Sequence, residues 1–553
     1  MNMEKASNFK VILALIFLSL IFLMFGNGAI NLTHPDEVFY AQTAKEMKQQ
    51  ETWLVPYLFG HPQFEKPIFT FWLLRIGFAW FGVSNFTARF FPAVFAILGI
   101  IAVYSLGLSG YKDKRKAFLC ALVLMSSGLY IGLARTVFTD MIFSVFILLS
   151  LASFFWGYVN TKRKSGGIIL FFVFSALAVL TKGPLGFLLP VLIIILFLAI
   201  KKELNFLLCK PSLLGLAVFL LLALPWYVLM INKFGKSFIQ EFFYNDHIRR
   251  FFKAEHPKAD TWYLYPLSMI GCMFPWSIFV AGAFIYLFKE IKRNSANPVY
   301  LFLASWIFVI LAVFQIAHSK LVSYILPLFP ALALATGDFI STAIVSRRHR
   351  TLPMVLAISW FVLLMFPIGL IVSVTKYSKY VPSKIPVYGF IIFYSVVLAA
   401  MLFFLIRRKF MISIYFLSFQ LPLVLFFVFS QHQSFDPYVS NKNACEYLLS
   451  SHNVEDIILC SKPFVRGVRF YTDKEVAVVN LGRLAANFFS PHPLPYLDTD
   501  ENALDFLKKR PVTYCILTKT SFKDMQRLAR DGGVKVELLK IIGDEYIVKI
   551  LPS

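Results

Sequence analysis

Charge is scarce in this chain, and its scarcity excludes whole classes of protein. Of 553 residues only 15% are Asp, Glu, Lys or Arg, where a water-soluble domain carries roughly 25%. A chain with so little charge and so much apolar bulk is neither an ordinary soluble globule nor a disordered segment. Cysteine is rare as well. Its six residues, Cys120, Cys209, Cys272, Cys445, Cys460 and Cys515, form no CxxC and no Cys/His metal spacing, so neither a disulfide scaffold nor a zinc or redox motif is encoded. The chain has no Walker A sequence and no GxGxxG turn tied to a strand and a helix, so no nucleotide site is expected. It also lacks internal repeats of the inverted-transporter kind and low-complexity tracts.

What fills the chain is apolar. Hydrophobic residues make up 58%, Phe alone occurs 62 times, and Gly and Pro occur 27 times each; the mean hydropathy is +0.69. This composition is that of an integral membrane protein. A spanning helix needs about 20 mainly apolar residues. Such runs lie near 9–28, 86–107, 117–133, 137–158, 167–181, 183–200, 212–231, 264–288, 298–317, 321–343, 353–374, 386–406 and 410–430, about 13 transmembrane helices in all. Lys5 and Lys10 precede the first run and no small-residue cleavage site follows it, so it reads as a retained span.

The net charge of +24 is dealt out in small clusters between the apolar runs. Clusters at Lys112–Lys116, Lys162–Lys164, Lys201–Lys202, Lys289–Arg293, Arg347–Arg350 and Arg407–Lys409 mark cytoplasmic loops, so nucleic acid is not the expected partner. Lys376, Lys379 and Lys384 fall on the opposite, outer side and break the pattern. That side also receives the long loops 29–85 and 232–263. The expected organisation is a membrane domain over 1–430 and a soluble α/β domain over 431–553, where the strands DIILC, VAVVN, TYCILT, VKVELLKI and EYIVKI alternate with helices near 501–510 and 521–531. Ile68 to Phe81 is apolar but short and contains Arg75, which predicts a helix lying in the membrane interface.

The unusual polar residues gather at outer span ends and in outer loops, the placement that surface chemistry requires. Asp36-Glu37 opens a short helix after the first span; it either caps that helix or supplies a carboxylate for general-base work. Lys66, beside Glu65, suits a phosphate or snorkels to lipid headgroups. Asp140 sits one turn inside an apolar span and is either functional or paired with Arg135. Lys182 and Lys320 at span ends are either membrane-edge anchors or cavity residues. The run from Tyr244 to Pro266 concentrates His247, Arg249, Arg250 and His256 among aromatics; arginine reads phosphate bidentately, while the histidines are either hydrogen-bonding groups or metal ligands.

Six motifs then occur in order: DExxYA, EKP, TDM, LTKG, HIRRF…HPKA…WY and SK…SYILP. Over roughly the first 430 residues the chain resembles the polyprenyl-phosphate-sugar-dependent GT-C glycosyltransferases. Within them it most resembles the lipid A 4-amino-4-deoxy-L-arabinose transferases, relatives of the protein mannosyltransferases. The resemblance implies a GT-C fold in a bacterial inner membrane, with the active site and the C-terminal domain in the periplasm. It implies an undecaprenyl-phosphate sugar donor and lipid A, or another envelope molecule, as acceptor. It implies catalytic roles for Asp36, Glu37 and Asp140, and substrate binding by Lys66, Lys182, Arg250, Lys320 and Tyr324. It further implies a structural divalent metal, zinc, at Glu65, His247 and His256. One departure is visible: relatives carry Arg-Tyr-Ala after the acid pair, where this chain has Phe39-Tyr40-Ala41, which leaves the particular sugar open. Alternatives are transfer of another sugar to lipopolysaccharide core or protein and, in a different class, a lipid or solute transporter. A transporter would gather its polar residues near the bilayer midplane, whereas here they gather at one face.

Overall fold

The computed structural model describes residues 7–255, 257–345, 351–376, 383–481 and 494–552. His256, Arg347, Arg348, Arg350 and Lys379 lie outside the described residues. The protein is a multi-pass α-helical membrane protein with a small C-terminal sheet domain. All thirteen apolar runs are helical. Among the described residues nine helices are long and apolar enough to cross a membrane, or eleven if each of two bent pairs is one span. Asn8–Met24 and Leu185–Lys201 are equally apolar but shorter, and the expected interfacial segment forms the helix Phe69–Phe81.

The two bends have local causes. Between Lys114–Met125 and Gly128–Ala134 the axis turns by 64°, where the Ser126 and Ser127 hydroxyls donate to the carbonyls of Leu122 and Val123 and compete with the helix ladder. Between Leu264–Cys272 and Ser277–Arg293 it turns by 110°; there Pro275 removes a backbone donor and disfavours helix at Phe274. The breaks then satisfy each other. Gly128 N donates to Phe274 O at 2.9 Å and Trp276 Nε1 donates to Ser126 Oγ at 2.9 Å. In lipid a freed backbone group has no water to turn to, so irregular backbone persists where protein supplies such partners.

Contacts divide the chain into two compact units, Met1–Phe25 with Phe64–Thr70 and Arg89–Phe427, and Gly26–Gln63 with Phe71–Ala88 and Val428–Ser553. The first unit is the helical bundle. Its interior holds the ion pair Lys116–Asp338 (2.6 Å), whose carboxylate is fully buried and therefore neutralised in place.

In the second unit the loop after the first span packs with the tail. The loop carries the helix Asp36–Gln49 and the hairpin β1 (Tyr57–Leu58) and β2 (His61–Pro62). Asn31 donates to Asp436, Lys45 pairs with Asp473 at 2.7 Å, and the Arg466 guanidinium sits 4.7 Å from the Phe39 ring centre. The tail strands are β3 (Ile458–Ser461), β4 (Val476–Val479), β5 (Tyr496–Leu497), β6 (Thr513–Thr518), β7 (Val534–Ile542) and β8 (Glu545–Pro552). They form one sheet in the order β5-β4-β3-β6-β8-β7, parallel from β5 to β6 and antiparallel through β8 and β7. Helices Asp500–Lys508 and Lys519–Gly532, capped by Thr499 and Thr518, bury Phe506, Met525 and Leu528 against Leu459, Val479 and Leu517.

One buried acid in this sheet has a measurable consequence. Glu545 is 2% exposed and accepts a hydrogen bond from Asn441 Nδ2, while its second oxygen has no partner among the described residues. Burial pushes its pKa up to about 8. Because the folded value lies above the unfolded one, its contribution is fully present below about pH 4.5 and is lost as pH rises through about 8. Glu545→Gln should therefore leave thermal stability nearly unchanged at pH 4.5 and raise it at pH 7, by at most about 3 kcal/mol. Melting curves of the two full-length chains at both pH values check this.

Candidate active site

The helical unit encloses a cavity of about 380 Å3. Lys66, Asp140, Lys182, Asp246, Arg250 and Tyr324 are part of its lining, and apolar side chains such as Phe143, Leu185, Leu188 and Phe314 supply much of the remainder. A cavity that combines several charges with a broad apolar wall fits an amphipathic ligand with an anionic head.

The polar groups come from five stretches of chain. Asp140 stands in the first turn of the helix Thr139–Val159, and Lys182 ends the helix Lys164–Lys182. Lys182 Nζ lies 2.6 Å from Asp140 Oδ1 and 4.5 Å from the centre of the Tyr324 ring, a salt bridge backed by a cation–π contact. The alternative to a functional role for Asp140 is pairing with Arg135, five residues away. Arg135 donates instead to the carbonyls of Phe22 and Phe25 at 3.1 and 2.5 Å, while helix packing brings Lys182 to Asp140. Gly183, with φ +98°, follows Lys182; a Cβ there would lie 2.3 Å from His247 Nε2, so the glycine of LTKG is required by the close approach of that ring.

Lys66 immediately precedes Pro67. Its ammonium donates to its neighbour's carbonyl, Glu65 O, at 3.0 Å and to Asp246 Oδ2 at 2.8 Å. Asp246 and Arg250 lie one turn apart where a π-helical stretch, Ile239–Arg249, passes into Arg250–Phe252; such widened turns recur at functional sites. Arg250 reaches Asp246 Oδ1 at 2.6 Å and Glu255 at 3.1 Å, and its backbone carbonyl accepts from Ser319 N at 3.1 Å. Burial opposes charge on Asp246, but Lys66 and Arg250 outweigh it and hold the carboxyl below its ordinary range. Burial likewise opposes charge on Arg250, yet Asp246 and Glu255 raise its pKa, and Tyr324 and Glu65 are within electrostatic reach.

The other expected site residues fall elsewhere. Lys320 is not among the cavity-lining residues; its ammonium pairs with Asp260, which also binds His318 Nδ1 at 2.7 Å. Asp36 and Glu37 belong to the second unit. Asp36 is exposed at the start of the helix Asp36–Gln49, and Glu37 is buried and accepts from Thr33 N and Thr33 Oγ1 at 3.0 Å each. Glu37 therefore braces the turn before the helix. Of the expected metal set only Glu65 and His247 lie among the described residues, and among those residues no group of three or more His, Cys, Asp or Glu side chains has metal-binding geometry. His247, its pKa lowered by burial, faces the carbonyl oxygens of Phe242 at 2.7 Å and Lys182 at 3.4 Å, so its ring is oriented by backbone. His256 lies outside the described residues. Asp246 was the residue that sequence reading passed over, although its i,i+4 spacing to Arg250 within the basic run was visible.

The sequence model of the dolichyl-phosphate-mannose-protein mannosyltransferase family matches residues 8–235. The structure of ArnT from Cupriavidus metallidurans bound to undecaprenyl phosphate superposes with a TM-score of 0.80 at 19% identity, covering 98% of both chains, a likeness of fold. The family model covers less than half of the chain and marks a similarity over its first part. The chain is also similar to the undecaprenyl phosphate-alpha-4-amino-4-deoxy-L-arabinose arabinosyl transferases of Serratia proteamaculans and Photorhabdus laumondii. The Serratia protein is 31% identical over 61% of this chain and 60% of its own length. The Photorhabdus protein is 29% identical over 69% of this chain and 68% of its own length.

Proposed function

We propose that this chain transfers 4-amino-4-deoxy-L-arabinose from undecaprenyl phosphate to a phosphate of lipid A, at the periplasmic face of a bacterial inner membrane. The observation that carries the reading is the cavity, whose three cations, Lys66, Lys182 and Arg250, share one space with an apolar wall. The cations suit the donor's phosphate and the wall suits the start of its prenyl chain. The names of the Serratia and Photorhabdus relatives support the choice of sugar.

In the reaction the bond from the anomeric carbon to the phosphate oxygen breaks, and its electron pair stays on the departing undecaprenyl phosphate, whose charge changes from one negative to two. Lys66 and Arg250 would stabilise that developing charge as preorganised donors. Lys182, fixed by Asp140 and Tyr324, would add a third positive charge beside the same phosphate. The sugar becomes oxocarbenium-like, and the acceptor oxygen bonds to the anomeric carbon from the opposite side, so one displacement inverts that centre. A lipid A phosphate is already anionic and needs little deprotonation. Asp36 would then orient the acceptor and favour the positive sugar, with Glu37 holding the turn that presents it.

Mass spectrometry of lipid A from an envelope-competent bacterium expressing the chain tests the proposal. A pentosamine-sized adduct is expected with the native chain and not with Asp36→Asn. An unmodified lipid A with both chains would move the search to another acceptor or sugar.

A further inference from the structure

Asp246 has no task in the scheme above, yet it occupies the centre of the cation set. Its side chain is 9% exposed, and its two oxygens are divided between two cations: Oδ2 is 2.8 Å from Lys66 Nζ and Oδ1 is 2.6 Å from an Arg250 nitrogen. Lys66 and Asp246 are 180 positions apart in the chain, so this carboxylate joins the two segments that carry the proposed phosphate ligands. Around the cavity Lys66, Lys182 and Arg250 are answered by Asp140, Asp246 and Glu255. Three cations therefore meet three carboxylates, and a phosphate arriving between Lys66 and Arg250 competes with Asp246 for the same N–H donors.

That competition acts unequally on donor and product. The donor phosphodiester carries one negative charge, and the leaving monoester carries close to two above its second pKa of about 6. Repulsion by a fixed carboxylate scales with ligand charge, so it acts about twice as strongly on the product.

We propose that Asp246 is a positioning residue of the donor site that spaces Lys66 and Arg250 for a phosphate and, through its own charge, loosens the dianionic product so that it departs. This rests on the donor reading above.

The test is direct calorimetric binding of two probes to the purified full-length chain at pH 7.5: undecaprenyl phosphate, a dianion, and its monomethyl ester, a monoanion. The wild type is expected to bind both within about threefold of each other. In Asp246→Asn the affinity for undecaprenyl phosphate should rise about tenfold and for the ester about threefold, since the relief doubles in free energy with the charge. With an active donor and acceptor, kcat should fall and product inhibition should strengthen, while Asp246→Glu should restore both.

Weaker binding of both probes to the same degree in Asp246→Asn would reduce Asp246 to a structural brace and overturn the proposal. Unchanged binding of both would also overturn it. If Asp246→Asn does not fold, the wild type decides alone: a preference of tenfold or more for the monoester over its methyl ester contradicts the proposal. Failure of the wild type to bind either probe removes the donor reading itself. Binding of both without transfer removes only the transferase reading.

Discussion

Arg250→Ala should lower the initial rate of sugar transfer about 100- to 1,000-fold at saturating acceptor, the effect of removing one preorganised donor to a developing oxyanion. The expectation follows from geometry. The guanidinium is held by Asp246 at 2.6 Å and Glu255 at 3.1 Å, and the backbone beneath it is tied to Ser319. Its side chain is thus fixed before ligand arrives, which distinguishes a preorganised donor from a mobile surface charge. Arg250→Lys should recover only a small part of the loss, because an ammonium cannot reproduce the planar, bidentate fork of a guanidinium. Rates of both variants, with circular dichroism to establish that the chains are folded, check this. A loss below about fivefold for Arg250→Ala would remove it from the donor site.

Asp140→Asn should destabilise the folded chain by about 3–5 kcal/mol, the usual consequence of taking one partner from a buried pair. Asp140 and Lys182 are 8% and 18% exposed in their side chains and stand 2.6 Å apart. Without its carboxylate the Lys182 ammonium keeps the Tyr324 and Phe143 rings and the electrostatic reach of Asp246, but no direct ion pair with Asp140. The double variant Asp140→Asn/Lys182→Met removes the stranded charge and should recover most of the stability, a coupling that a double-mutant cycle measures. Transfer should stay low in the double variant, because Lys182 is then missing from the donor site. Thermal unfolding in detergent beside transfer rates separates the two effects. Equal melting temperatures for all four chains would show that the pair is not energetically closed.

Much of this arrangement was legible from residue types alone. Ionisable side chains at the ends of apolar helices require a reason, and Lys66, Asp140, Lys182, Arg250 and Tyr324 all line one cavity. The apolar runs became helices because about 20 consecutive nonpolar residues admit little else in lipid. The β-branched runs of the tail became strands for an equally local reason.

What could not be read was which distant groups meet. Arg135 was the nearest cation to Asp140 in sequence, whereas the pairing falls to Lys182, 42 residues away. Asp246 is one carboxylate in a basic run until the fold brings Lys66 to its other oxygen. Lys320 follows Ser319, a cavity residue, by one position, yet its ammonium is committed to Asp260. The helix breaks at 126–127 and 273–276 hid for a similar reason, since each is tolerated because the other supplies its hydrogen bonds. Spacing reports one element at a time, and ion pairs between elements depend on packing.

If the cavity binds a polyprenyl phosphate by its head, affinity must depend on the phosphate and on the cations that face it. Binding of undecaprenyl phosphate and of undecaprenol, which has the same chain and no phosphate, should be measured on the wild type and on the double variant Lys66→Ala/Arg250→Ala. Tight binding of the phosphate by the wild type is expected, with at least 100-fold weaker binding of undecaprenol and loss of that difference in the double variant. Equal affinity of the wild type for the two lipids, or a preference for the phosphate that survives in the double variant, would contradict it.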